Sequence, residues 1–154
     1  MTVLRWVLSL AVGGFLIMFG AMKFMGAAFI FPYIEYKAAA AGLPLADLFY
    51  PVGNYAVGAL ELVAGVLVIL PMTRSLGAPL AVVPLLGAVV FHLSPYLGII
   101  TPVDYADPKP AEALAAGGGF VRENFSAETA PMLFITASVL LAAAIVNLLI
   151  RARD

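Results

Sequence analysis

The stretch Asn54-Tyr-Ala-Val-Gly-Ala-Leu-Glu-Leu-Val-Ala-Gly65 decides the fold, because it sets one ionisable residue, Glu61, inside an apolar run that continues to Leu70. A run of this length approaches the ~20 residues a helix needs to cross a hydrocarbon core about 30 Å thick. A carboxylate at such depth costs roughly 2.5 to 3.5 kcal/mol on insertion scales, so it faces other helices or a polar cavity and finds a partner there. The spacing around it agrees. Asn54, Gly58, Glu61 and Gly65 recur at intervals of four, three and four, which is one helix face. A face of Asn, Gly, Glu and Gly suits close helix packing around a polar group better than it suits lipid.

The whole chain fits that reading. Its 154 residues are 64% hydrophobic and only 11% charged, with a mean hydropathy of +1.07. Helix is the simplest way to satisfy the backbone in lipid, so an all-α, polytopic membrane protein is expected: an antiparallel bundle of four transmembrane helices in a single domain over residues 1–154. Eight basic against nine acidic residues leave no basic surface for nucleic acid. With no cysteine, disulfides and thiol redox chemistry are excluded. The lone histidine, His92, cannot by itself build a multi-histidine metal site, and no metal is expected.

Four spans are read at about 3–24, 52–70, 76–96 and 129–150. The first opens with Arg5 and Trp6, closes with Lys23, and carries Gly13, Gly20 and Lys23 on one stripe. Its apolar part exceeds a signal-peptide core of about 7 to 15 residues, so it is read as a retained helix. Pro71 stops the second span, and Thr73-Arg74-Ser75 is a tight turn that makes the second and third helices antiparallel neighbours. Pro84 predicts a kink in the third, on which Ala81, Leu85, Ala88 and His92 share a face. The fourth is expected to begin at an N-cap, Ser126, with Glu128 in its first turn, and to present Thr136, Leu140, Ala143 and Asn147 on its polar-tolerant face.

Two segments do not span. Met25 to Pro51 is rich in aromatic residues, and Tyr33 to Ala41 within it is expected to be a short interfacial helix whose rings form an aromatic belt. Ser94 to Glu128 is read as a long polar outer loop whose start, Tyr96 to Ile100, lies against the bundle or the bilayer. The triplet Gly117-Gly118-Gly119 follows no strand and precedes no P-loop lysine, so it is not read as a phosphate loop. Arg5, Arg74, Arg151 and Arg153 place both termini in the cytoplasm by the positive-inside rule.

That topology puts Lys23, Glu61 and His92 in the outer half. At about 1.5 Å per residue, Glu61 lies roughly 13 Å and His92 roughly 6 Å below the outer ends of their helices. Glu61 is therefore expected to meet His92, directly or through water, with Lys23 as a further partner in the same half. Bland readings stand beside the functional ones: an interhelical bond for Glu61, a headgroup-level hydrogen bond for His92, snorkelling to the outer interface for Lys23, a polar helix contact for Asn147.

Several short stretches, taken in order, resemble one family. Gly20-Ala-Met-Lys-Phe24, Ala41-Gly-Leu-Pro44, Gly58-Ala-Leu-Glu-Leu-Val-Ala-Gly65, Thr73-Arg74 and Phe91-His92-Leu93 are similar to DoxX and DoxX-like membrane proteins, over about Arg5 to Leu93. The resemblance implies a small four-helix protein of the bacterial inner membrane. The name-giving members are associated with terminal quinol oxidase and thiosulfate:quinone oxidoreductase. It implies Lys23, Glu61 and His92 as the polar positions and quinone-linked redox work, in which electron transfer would need a bound quinone or a partner carrying the cofactor. Two other functions are open on the residues alone: an accessory subunit packing against a larger membrane complex, or a protein that binds a lipid or other hydrophobic ligand. The segment from Ser94 to Glu128 is longer than a minimal family member needs.

Overall fold

A computed structural model describes residues 2–112 and 119–151. Its helices are α1 (Thr2–Phe24), α2 (Ile30–Ala40), α3 (Asn54–Ile69), α4 (Arg74–His92) and α5 (Met132–Arg151). The chain is mostly helical, and four stretches are long and apolar enough to cross a membrane: Val3–Phe24, Ala46–Ile69, Arg74–His92 and Met132–Ile150. The all-α, membrane-compatible expectation holds at that level.

α1 packs on α3, α3 on α4, α4 on α5, and α5 returns to α1. The α1–α3 seam shows why glycine recurs on both helices. A Cβ on Gly65 would lie 2.8 Å from the Gly13 carbonyl oxygen, and one on Gly20 would lie 2.8 Å from that of Gly58. Pairing of 13 with 65 and of 20 with 58 makes the two helices antiparallel, at a distance only small residues allow. Val12, Leu16, Ala64, Ala81, Leu85, Leu140 and Ala144 fill the centre between the four helices.

The turn between α3 and α4 is built by the chain's own breakers. Pro71 holds Leu70 extended (φ −70°, ψ 124°), which ends α3. The orphaned carbonyls then find donors: Arg74 Nε to Val68 O at 3.1 Å, an Arg74 terminal nitrogen to Ile69 O at 3.0 Å, and Thr73 Oγ1 to Leu67 O at 3.1 Å. The Arg74 guanidinium also lies over the Trp6 ring, 4.3 Å from its centroid. At Gly77 there is no room for a side chain, because a Cβ would overlap the backbone of Leu67 and Val68. At the same end Asn147 Nδ2 donates to Ser9 Oγ at 3.1 Å, both buried, so Asn147 is the helix contact its position foretold.

Several boundaries differ from expectation. α4 begins at Arg74 and ends at His92, four residues short of Tyr96, because Ser94-Pro95 breaks it; it runs through both Pro79 and Pro84. On α5 Leu140 and Asn147 of the expected face are buried, while Ala137 and Ala144 are buried in place of the half-buried Thr136 and Ala143. Ser126 does not cap this helix. Thr129–Ala130 instead forms strand β2, paired antiparallel with β1 (Thr101–Pro102) in the register Thr101 to Ala130 and Pro102 to Thr129. Ser126 Oγ does accept from Glu128 N at 3.1 Å, as a cap would, but the pairing holds Thr129–Ala130 extended, so no helix follows directly.

The 94–128 loop is likewise more than a polar excursion. It doubles back through Val103 N to Glu128 O, Ala106 N to Asn124 O and Ser126 N to Asp104 O, and the Arg122 guanidinium fastens the Phe125 and Ser126 carbonyls. Its Tyr105, Phe120 and Phe125 are buried with Phe29 and Tyr50, flanked by Tyr33 and Tyr36 of α2. The aromatics expected to form a membrane belt therefore pack on the loop: Phe125 meets Tyr33 at 5.1 Å and Tyr36 at 6.0 Å between centroids. Tyr105 Oη adds a hydrogen bond to Ala28 O at 3.0 Å. Burial pushes the Tyr105 phenol well above its ordinary value. Gly117, Gly118 and Arg153 lie outside the described residues.

Candidate functional site

The last turn of α1 and the first half of α3 meet around an ion pair. Lys23 Nζ donates to Glu61 Oε2 at 2.7 Å, with side chains only 7% and 11% exposed. The whole predicted face of α3 turns toward α1 to make this possible. Asn54 Nδ2 donates to Lys23 O at 3.1 Å, Gly58 leaves room for the Lys23 stem (a Cβ there would sit 3.1 Å from Lys23 Cβ), and Gly65 meets Gly13. Lys23 thus does not snorkel. Its ammonium is held inside, 5.7 Å from the Phe31 ring centroid, because the Glu61 carboxylate offers a buried partner that the interface does not.

His92, at the end of α4, is buried. Its Nδ1 lies 2.8 Å from Gly98 O. A carbonyl can only accept, so Nδ1 carries the proton, and Nε2 of the neutral ring is an acceptor. The carbonyl is presented by a bend in which Gly98 takes φ +84°, a conformation that favours glycine. The ring also meets Phe134 of α5, 5.8 Å away. Glu61 is bonded to Lys23 rather than to His92; the expected direct meeting of the two is replaced by a shared cavity wall.

That cavity has a volume of about 720 Å³. Its walls come from all five helices and the 43–49 segment: Phe19 and Lys23 of α1, Ile30 and Ile34 of α2, Val57 and Glu61 of α3, Phe91 and His92 of α4, Leu133 and Ala137 of α5, with Leu97 from the turn beyond α4. The lining is aliphatic and aromatic apart from Lys23, Glu61 and His92. Such a site binds a mostly apolar molecule and orients it through a few polar atoms, and the size falls within the roughly 300 to 1,000 Å³ typical of small-molecule pockets. No group of three or more histidine, aspartate or glutamate side chains suited to a metal ion occurs among the described residues.

The sequence did not single out Glu35. This α2 residue is 4% exposed, and its Oε2 has no hydrogen-bond partner. Burial, with the Asp47 carboxylate adding to it, pushes the Glu35 carboxyl up to about 7. The available signal was its spacing: Phe31, Glu35 and Ala38 lie on one face, four and three apart, and a reading of α2 as an interfacial helix passed over it.

Fold and site together define a helical, membrane-compatible protein with an ion-paired apolar cavity at one end. Neither protein-family models, nor curated proteins, nor solved structures give a match to this chain.

Proposed function

We propose that this chain is a DoxX-like integral membrane protein with both termini cytoplasmic, in which the cavity binds a quinone head as part of quinone-linked redox work. The observation that carries the reading is the convergence of Lys23, Glu61 and His92, three polar side chains from three helices, on one apolar cavity of about 720 Å³. Their chemistry fits a ring bearing two carbonyl or hydroxyl oxygens. The Lys23 ammonium donates to an oxygen; Glu61, its partner, accepts a proton when that contact is shared; His92 Nε2 accepts from a hydroxyl while Nδ1 is engaged with Gly98. Apolar walls keep water away and strengthen each of these contacts.

A quinone bound there supplies two-electron, two-proton chemistry, with electrons delivered by a partner subunit of a larger membrane complex. The orientation rests on Arg5 and Arg74 at the end opposite the cavity.

The test is to purify the protein from membranes in mild detergent, assay it for quinone, and titrate quinone into lipid-reconstituted protein. Saturable binding is expected, weakened about 10- to 100-fold in the Lys23→Met/Glu61→Gln double variant, the equivalent of roughly 1.5 to 3 kcal/mol for hydrogen bonds to charged groups. Quinone-free protein that also shows no saturable binding would overturn this reading in favour of an accessory subunit or a different hydrophobic ligand.

A further inference from the structure

The cavity is not closed on all sides. Part of its lining is exposed on the outer surface of the molecule: Val83 and Gly87 on α4, and Pro44, Leu45 and Leu48 on the segment leading into α3. Leu45, Leu48 and Val83 are 69%, 51% and 54% exposed. Gly87 sits five residues before His92, about 8 Å along the helix axis, within the apolar span of α4. This opening therefore faces the region where lipid chains lie.

Two features of the rim have no packing explanation. Glycine is less favourable than alanine inside a helix, and Gly65, Gly20 and Gly77 are each required by a neighbouring backbone. Gly87 is not, because a Cβ there would meet nothing within 4 Å. What its lack of a side chain leaves clear is the cavity mouth. Leu45, which lines the same cavity, is held in the left-handed region (φ 63°, ψ 29°) with its side chain exposed, the kind of strained backbone that gathers at ligand sites. The only other helical glycine with such freedom among the described residues, Gly14, lines a shallow groove of about 260 Å³ on the outer face of α1 that contains no polar side chain.

We propose that the cavity is entered sideways from the bilayer, through a portal rimmed by Val83, Gly87, Leu45 and Leu48. Its ligand is a membrane-dissolved molecule whose polar head reaches Lys23, Glu61 and His92 while its apolar tail remains in the portal. The inference rests on the cavity being a ligand site and concerns the ligand's tail and route, not the identity of its head. It makes Gly87 the residue whose missing side chain keeps the portal open to the tail.

The experiment uses the full chain in lipid nanodiscs and a headless alkyl diazirine that partitions into the bilayer. Photolabelling is expected on the cavity-wall residues Val57, Leu60 and Phe91. Gly87→Trp abolishes it, whereas Leu86→Trp, on the exposed surface of α4 but away from the cavity, leaves it unchanged. Val83→Trp is the second plug should Gly87→Trp fail to fold. A long-tailed quinone competes with the label and a tail-less analogue does not. Labelling that the plugs abolish but no quinone competes with supports the portal and removes the quinone. An unlabelled cavity wall in the wild type, or labelling unchanged in both plugged variants, overturns the portal.

Discussion

The two ends of the bundle solve the same problem in opposite ways. At the end holding Ser9, Arg74 and Asn147, backbones approach until Gly13, Gly65 and Gly77 have no space for a Cβ, and Arg74 spends its hydrogen bonds on the carbonyls that α3 leaves open. At the other end α1 and α3 stay in contact through Gly20 and Gly58, but a cavity opens beside them toward the other helices, and the charged groups Lys23 and Glu61 satisfy each other at its wall. Polar groups at the first end complete the fold. Those at the second are paired but stay beside open space, which leaves them available to a ligand.

The contrast breaks most sharply at the ion pair. Lys23→Met leaves the Glu61 carboxylate buried alone and is expected to lower stability by about 3 to 5 kcal/mol, with much of the loss recovered in Lys23→Met/Glu61→Gln. Denaturant titration in mixed micelles measures both. Next in size is the tight seam, where Gly65→Val drives a side chain into the Gly13 carbonyl at a cost of about 1 to 3 kcal/mol. Ser9→Ala, which deprives buried Asn147 of its partner, costs about 1 kcal/mol. At the open end the sign reverses: Gly87→Ala meets no neighbour and is expected to gain about 0.5 to 1 kcal/mol by the same assay.

A pH titration sharpens the comparison at α2. Glu35 holds its proton more tightly folded, at about 7, than its ordinary value of 4.5. Its contribution to stability is therefore fully present below pH 4.5, is lost as pH rises from there through about 7, and is level above. Glu35→Gln is expected to remove that slope and to exceed the wild type in stability at pH 8, as read from unfolding midpoints at pH 4, 6 and 8. An unchanged slope would place the titration elsewhere.

What was legible in the sequence is what short-range physics decides. Pro71 ends α3 where it should, and the spacing of Asn54, Gly58, Glu61 and Gly65 named the buried face. Gly13 and Gly20 marked its counterpart on α1. Partners across long separations were only partly legible: Lys23 and His92 were both placed at the Glu61 end, but a lysine 38 residues away looks the same whether it snorkels or turns inward. His92 was expected to meet Glu61, directly or through water, because depth alone was known, while the acceptor that holds its Nδ1 is a carbonyl six residues on, exposed by a glycine bend. Ser126 has the chemistry of a cap, yet the pairing of Thr101 with Ala130 claims that stretch of chain. The aromatic segment around α2 has the composition of a membrane belt, and only the return of Phe120 and Phe125 from the 94–128 loop makes it an interior.

The central claim is that Lys23, Glu61 and His92 serve one ligand rather than three separate structural ends. Its most direct test is a solid-state NMR distance measurement in lipid, between quinone labelled with ¹³C at its ring carbonyls and protein labelled with ¹⁵N at lysine and histidine side chains. The account predicts a ring oxygen within hydrogen-bond reach, about 2.7 to 3.2 Å, of Lys23 Nζ or His92 Nε2. The Lys23→Met/Glu61→Gln variant no longer holds the ring at that distance. A bound quinone whose carbonyls lie near neither nitrogen in the wild type would contradict it.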